Sequence, residues 1–148
     1  MRRHARVLAL QAFFSYETQD FETSIEDVFE QAALLSEQDD GTLDEGIRKY
    51  AFKIVKFAAQ NLEKIDKTLS KYTQGWSFER LCAIDRNLLR IATAEMDEKF
   101  GVPVKVVINE AIEIAKVFGT DDSAKFVNAV LDKVKNETNI FNTEFLSC

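Results

Sequence analysis

Apolar side chains recur along most of this chain at the three- and four-residue spacing of an amphipathic helix, and no run alternates as a paired strand does. The pattern predicts an all-α fold, a compact bundle of about seven helices. Gly and Pro are scarce, with 5 and 1 among 148 residues, which favours long helices and short connections over a loop-rich enzyme. The length and the 46% hydrophobic content suit one compact domain with a sizeable core.

The predicted helices have recognisable start and stop signals. Ser24 and Thr42 each begin a sequence that resembles a capping box, and Ser77 is placed to cap a helix that Gly101 ends. The predicted helical segments are 5–16, 24 to about 35, 42–72, 77–100, 104–118, and one from 121–123 to about 137. From residue 47 to 72 the pattern fits either one long helix or two helices with a break near Asn61.

Charge is distributed unevenly along the chain. Arg2, Arg3 and Arg6 precede residues 7–47, which contain eleven acidic residues and no Lys or Arg, so the net charge of −6 hides a basic start. If the first helix begins early enough, the three arginines fall within one arc of about 100° beside helix-terminal N–H groups that also favour an anion. This predicts a phosphate-binding patch, with a frayed and solvated terminus as the alternative.

A second basic feature is a row of lysines that falls on one side of a helix, provided that the helix is unbroken. The row consists of Lys49, Lys53, Lys56, Lys64, Lys67 and Lys71. A solvated outer face explains these residues fully, because they lie opposite the apolar stripe. An extension of the phosphate-binding patch from the arginines is the second interpretation.

Candidate catalytic groups are sparse. His4 is the single histidine, and the two cysteines, Cys82 and Cys148, have no metal-site or disulfide spacing. We therefore expect no enzymatic activity, no cofactor and no metal. The sequence also shows no signal-peptide pattern and no membrane-spanning apolar run, which predicts a cytoplasmic protein without membrane contact.

Four charged residues lie on or beside the apolar face of the predicted helix 77–100, namely Asp85, Arg86, Arg90 and Glu95. Charges in such positions need partners, because desolvation of an unpaired charge is costly. Ion pairing within the fold and a polar contact with another protein are both consistent with this pattern.

Three segments together resemble a known family. Residues 103–132 read PVKVVINEAIEIAKVFGTDDSAKFVNAVLD, which is similar to the C-terminal signature of the NusB family of transcription antitermination factors. Residues 2–12 and 76–95 agree with the same family in order and spacing. The resemblance covers nearly the whole chain.

The resemblance implies a single helical RNA-binding domain of two packed subdomains, 1–73 and 74–137, followed by an apolar tail, 138–148. It implies that the protein binds single-stranded boxA RNA of ribosomal RNA operons together with NusE, a small-subunit ribosomal protein, within an RNA polymerase antitermination complex. By position, it implies RNA contacts at Arg2, Arg3, Arg6, Phe14, Phe118, Asp121, Asp122 and Phe126. It implies NusE contacts at Glu79, Asp85 and Arg90.

Physical chemistry makes these assignments reasonable. Arginine matches phosphate with a planar fork of donors, an exposed aromatic ring stacks on an unpaired base, and a carboxylate accepts a hydrogen bond from a base amino group. The alternative for the three phenylalanines is core packing at helical spacing. In the tail, Ile140, Phe141, Phe145 and Leu146 are expected to dock on the same domain or on a neighbouring copy.

Two rival functions remain open. Related helical domains precede ribosomal RNA cytosine methyltransferases, but this interpretation requires a catalytic domain that the sequence does not contain. The second rival is a non-catalytic protein-protein adaptor, or a homodimer that hides its arginine face, without specific RNA binding. A salt-dependent RNA affinity distinguishes RNA binding from the adaptor.

Overall fold

The computed structural model describes residues 2–73, 77–137 and 140–141, apart from the side chain of Asp40. Within these residues the regular structure consists of seven α helices and two short 3-10 helices, without strands. The α helices are α1 (Arg2–Thr18), α2 (Ile25–Asp40), α3 (Glu45–Gln60), α4 (Leu62–Tyr72), α5 (Ala83–Glu95), α6 (Val104–Phe118) and α7 (Ser123–Val134). The 3-10 helices are Phe78–Arg80 and Glu98–Phe100. The predicted all-α fold class is confirmed.

The first compact unit, Met1–Gln60, contains α1, α2 and α3. α1 packs against both of the other helices and buries residues around most of its circumference, as expected for a helix that is apolar almost all round. Its core includes Leu8 and Phe13 from α1, Phe29 from α2 and Ile54 from α3.

The second compact unit, Asn61–Cys148, contains α4 to α7, with α7 packed against α4, α5 and α6. Its fully buried core side chains include Ile65, Leu69, Leu88, Leu89, Ile114 and Leu131. The units divide at Asn61, earlier than the boundary after residue 73 given in the sequence analysis. The helical pattern breaks at Asn61, where φ is −117° and ψ is 20°, and α4 then packs on α5 and α7.

Two helix starts are set by oxygen atoms of nearby side chains. The Ser24 hydroxyl accepts a hydrogen bond from the Asp27 backbone N–H at 3.2 Å, as the sequence predicted for α2. The predicted start at Thr42 is wrong, because the Asp44 carboxylate accepts the N–H groups of Gly46 and Ile47 at 2.8 and 3.2 Å. α3 therefore begins at Glu45.

The single helix predicted from Ser77 is also wrong. Residues 78–80 form a 3-10 helix, the backbone is extended at Leu81 and Cys82, and α5 begins only at Ala83. The Arg86 guanidinium donates hydrogen bonds to the backbone carbonyls of Glu79 and Leu81. These carbonyls are thus satisfied without a continuous helix.

The last two helices follow the prediction closely. α6 has the predicted bounds, and α7 ends at Val134 rather than near residue 137. The apolar tail, except for the half-buried Ile140 and Phe141, lies outside the described residues. No helix in the described ranges is long and apolar enough to cross a membrane.

Candidate nucleic-acid interface

α1 carries the candidate arginines of the first unit, but they do not form one exposed patch. Arg2 and Arg3 are exposed, whereas Arg6 is buried, with 5% of its surface accessible. The Arg2 guanidinium lies 4.5 Å from the centroid of the Tyr50 ring on α3, a cation-π contact. Because Arg2 and Arg6 are four residues apart, both lie on the side of α1 that faces α3. Arg3 lies on a different side.

Arg3 shares an exposed face of α1 with Phe14, eleven residues later, at a distance of about 16 Å along the helix axis. Phe14 is 40% exposed, so core packing does not account for it. Gln11 is also exposed, but it lies about 80° around the helix from Arg3, on the side of α1 next to α2.

In the second unit, the turn between α6 and α7 is closed by a buried hydroxyl. Ser123, which is 2% exposed, accepts a hydrogen bond at its Oγ from the Thr120 backbone N–H at 2.9 Å. The Ser123 N–H in turn donates to the Thr120 carbonyl at 3.0 Å. Thr120 and Ser123 therefore fix the path of the chain between the two helices.

Gly119 allows the Ser123 side chain to lie close to the end of α6. A Cβ atom added at Gly119 would clash with the Ser123 hydroxyl, and would lie 2.6 Å from the Ser123 Cβ and 2.9 Å from the Ala115 carbonyl oxygen. The Gly119 N–H donates to that same carbonyl at 2.8 Å, which ends α6. Phe118, the last residue of α6, projects from this fixed turn and is 42% exposed.

Asp121 and Asp122 are exposed on the same turn. Asp122 occupies the N-cap position of α7, but its side chain makes no capping hydrogen bond. Helix capping therefore does not explain this carboxylate. Phe126, one turn into α7, is half-buried, which favours a supporting position over a free stacking surface.

The structure also places Lys125 in this region, exposed in the first turn of α7 close to the two aspartates. The sequence pattern does not mark Lys125, because its spacing is that of any solvated helix position. Lys116, near the end of α6, forms an ion pair with Glu113 at 2.9 Å. The phenylalanines, aspartates and Lys125 thus gather around one turn within the second unit.

Among the residues predicted to contact NusE, Glu79 is exposed and lies in the first 3-10 helix. The Ser77 hydroxyl donates to its carboxylate at 2.6 Å, and this hydrogen bond lowers the pKa of Glu79, with a further contribution from the Glu79 backbone N–H. Asp85 is half-buried, and within the described part of the chain its Oδ1 atom is buried without a hydrogen-bond partner.

Arg90 is not on the surface, contrary to its assignment as a partner contact. It is 4% exposed and forms a two-pronged ion pair with Asp66, from Nε to Oδ1 at 2.8 Å and from a terminal nitrogen to Oδ2 at 2.9 Å. Its other terminal nitrogen donates to the Asn87 side chain at 2.9 Å, and its guanidinium lies 5.1 Å from the Phe78 ring centroid. Pairing within the fold, the first interpretation in the sequence analysis, accounts for Arg90.

The row of lysines is interrupted at Asn61, so it does not form one face of a single helix. Lys56 pairs with Glu26 at 3.7 Å, and Lys71 pairs with Glu137 at 3.0 Å. The second contact raises the pKa of Lys71 through its hydrogen bond with Glu137. In the described ranges, no group of three or more His, Cys, Asp or Glu residues is arranged to hold a metal ion.

Comparison with known proteins gives consistent results. The sequence model of the NusB family matches residues 3–136. The transcription antitermination protein NusB of Chloroherpeton thalassium is 40% identical over 136 residues, which cover 92% of this chain and 62% of that protein. The chain therefore spans less than two thirds of the length of this relative.

Solved structures show the same similarity. A structure of T. maritima NusB has a TM-score of 0.82 and 34% identity, covering 100% of this chain and 98% of that chain. A crystal structure of the antitermination factors NusB and NusE in complex with dsRNA has a TM-score of 0.78, covering 90% of this chain and 95% of that chain. At 23% identity, the second likeness shows the fold alone.

Proposed function

This chain belongs to the NusB family, and from that premise we propose that it is a transcription antitermination factor that binds boxA-type single-stranded RNA of ribosomal RNA operons. It acts together with NusE, the small-subunit ribosomal protein, in an RNA polymerase antitermination complex that promotes processive transcription. The proposed function is non-catalytic and takes place in the cytoplasm.

The observation that carries the proposal is the exposed α6–α7 turn, with Phe118, Asp121 and Asp122 on its surface. Gly119 and Ser123 hold the turn, so the fold does not need the two carboxylates or the exposed ring. Exposed aromatic and polar side chains on a fixed turn suit the recognition of unpaired bases. The exposed face of α1 carries a second set of exposed polar and aromatic side chains, namely Arg3 and Phe14.

Each residue has a distinct proposed role. Arg3 binds phosphate, and Phe14 and Phe118 stack on bases, each stack contributing about 1 to 3 kcal/mol. Asp121 and Asp122 repel phosphate but accept hydrogen bonds from base amino groups, so they select sequence more than they add affinity. Arg2, Arg6 and Phe126 support these residues from their stacked or buried positions.

For NusE, we propose that the surface around Glu79 and Asp85 is the contact, with Arg90 as a positioning residue behind it. The Ser77 hydroxyl and the Arg86 guanidinium fix the conformation of the first 3-10 helix, which presents Glu79 as an ionised acceptor. Membership of the NusB family, whose model matches residues 3–136, supports this partner.

The test is the fluorescence anisotropy of a labelled boxA-like single strand, measured against a scrambled strand and a duplex of the same sequence, with and without NusE. We expect the boxA-like single strand to bind more tightly than the scrambled strand, and NusE to strengthen that binding. Because the related complex contains double-stranded RNA, tighter binding to the duplex would overturn the single-strand assignment.

Matched variants locate the contact. Phe118→Ala is expected to weaken boxA binding by about tenfold, because one base loses its stacking surface. Val117→Ala, at the neighbouring position that is 74% exposed, should leave binding unchanged. Equal affinities of both folded variants would remove Phe118 from the site, and no RNA binding in any condition would favour the adaptor.

A further inference from the structure

A groove on the first compact unit is not explained by the proposed RNA and NusE contacts. It lies between α1 and α2, has a volume of about 310 Å³, and is lined by Gln11 and Ser15 from α1 and by Ala32, Leu35, Ser36 and Asp39 from α2. Small side chains at Ser15, Ala32 and Ser36 form its floor, so a partner can approach the two backbones closely.

Leu35 and the exposed Gln31 line the outer wall of this groove, and the exposed apolar surface continues beside the groove at Leu34. Leu35 is 61% exposed and the adjacent Leu34 is 59% exposed. They are the two most exposed leucines among the large exposed hydrophobic side chains of the described chain. Water contact with two neighbouring leucines is unfavourable, and burial of such side chains drives association.

The charge around the groove has one sign. The residues that line the groove include no Lys or Arg, and the one acidic residue among them, Asp39, is exposed at the rim. The cations of α3 neutralise acids on the other side of α2, where Arg48 pairs with Glu30 and Lys56 pairs with Glu26 at 3.7 Å. The carboxylate of Asp39 on the groove side is not among these paired acids.

We propose that this α1–α2 groove docks a cationic amphipathic helix of another protein. Two consecutive helices packed side by side leave a channel whose ridges accept the side chains of a third helix. Apolar residues of the partner would cover Leu34 and Leu35, and its Lys or Arg residues would face Asp39. The inference is independent of RNA binding and goes beyond the proposed function.

Charge argues against the other occupants. RNA would bring phosphates to a wall without cations. The chain's own tail, residues 138–148, contains Glu144 and no Lys or Arg. A second copy that used this same face would supply no Lys or Arg from its groove to face Asp39.

The probe is a synthetic helical peptide of about 16 residues, with Leu on one face and Lys on the other, titrated into the isotope-labelled full chain. We expect NMR shift changes concentrated at residues 11–15 and 31–39. The double substitution Leu34→Gln/Leu35→Gln, which keeps helix-favouring residues, should weaken peptide binding by at least about tenfold. Val117→Gln, at an even more exposed apolar position of the second unit, should not change the peptide affinity.

Four results would overturn the proposal. The first is equal affinity for the same peptide with Glu in place of Lys, and the second is NMR shift changes centred outside the groove. The third is a peptide affinity that Leu34→Gln/Leu35→Gln leaves unchanged, and the fourth is displacement of the peptide by boxA-like RNA. Sedimentation of the free protein tests a second copy, because self-association abolished by the leucine variant would make this face a homodimer contact. RNA affinity of that variant is expected to stay at the wild-type value, which separates this inference from the proposed function.

Discussion

At the scale of single residues, the α6–α7 turn depends on two small side chains. Gly119 has an ordinary negative φ of −99°, so its backbone angles do not require glycine. The requirement is steric, since the Ser123 side chain and the Ala115 carbonyl occupy the space of a Cβ atom. The sequence marks Gly119 as a helix end, but this close approach is visible only in the folded chain.

Gly119→Ala is therefore expected to destabilise the protein by about 1 to 3 kcal/mol, because the backbone carbonyl of Ala115 cannot move without disturbing α6. Urea unfolding measures the change. Gly46→Ala is the matched control: its added Cβ meets only the flexible Asp44 carboxylate, at 3.0 Å, and alanine favours the helix. If both substitutions had the same effect, the steric argument for Gly119 would be wrong.

A second prediction at this scale concerns Glu79. The Ser77 hydroxyl bond holds its pKa below the ordinary value of 4.5, so Ser77→Ala is expected to raise the pKa. A lowered pKa in the folded state stabilises the fold above the unfolded-state value, and this contribution is lost as the pH falls through the folded-state value.

NMR titration of the Glu79 carboxyl group measures this shift. Ser70→Ala removes a hydroxyl that bonds to the Asp66 carbonyl instead, and should leave the Glu79 titration unchanged. A Glu79 pKa that is the same with and without the Ser77 hydroxyl would show that the hydrogen bond does not form in solution.

At the scale of elements, helix bounds were predictable where one local signal dominated. Val104–Phe118 follows Pro103, ends at Gly119 and keeps one apolar face. The apolar periodicity and the residues at the two ends therefore predict the same helix bounds. The segment from Ser77 to Glu95 misled the prediction, because Arg86 satisfies the carbonyls of Glu79 and Leu81 from a later turn. The periodicity of apolar residues does not reveal that a later side chain forms hydrogen bonds with the backbone of an earlier segment.

Arg90 joins α5 to α4 through Asp66, so Arg90→Lys is expected to cost about 2 to 4 kcal/mol, because a lysine cannot reproduce the two-pronged geometry in a buried position. Urea unfolding tests this. The surface pair Lys116–Glu113 gives the comparison, since Lys116→Met should cost less than about 0.5 kcal/mol. Full stability of Arg90→Lys combined with lost NusE affinity would restore Arg90 as a partner contact.

At the scale of the whole molecule, charge is separated along the chain, and the net value of −6 predicts little about binding. The sequence located the basic start, but helix geometry alone made Arg2, Arg3 and Arg6 equivalent. Tertiary packing separates them, because Tyr50 of α3 stacks on Arg2, whereas Arg6 is buried and Arg3 is exposed. The exposure of Phe14 and Phe118 likewise depends on which helices cover them, which the sequence does not specify.

Despite the negative total, RNA affinity is expected to fall with salt. With about two to four phosphates neutralised on a single strand, log K should decrease against log salt with a slope between about −1.4 and −2.8. Arg3→Gln should make the slope shallower by about 0.7, whereas Lys116→Gln should not, because Lys116 is engaged by Glu113. An RNA affinity that is independent of salt would exclude phosphate contacts.

The turn that Ser123 closes has an evolutionary consequence. Because a hydroxyl and a glycine maintain its shape, the turn does not depend on hydrogen bonds from the carboxylates of Asp121 and Asp122. Substitutions at these two positions therefore have little effect on folding, whereas the shape of the turn limits substitutions at Gly119 and Ser123. Relatives with the same backbone can therefore diverge in the bases that they prefer.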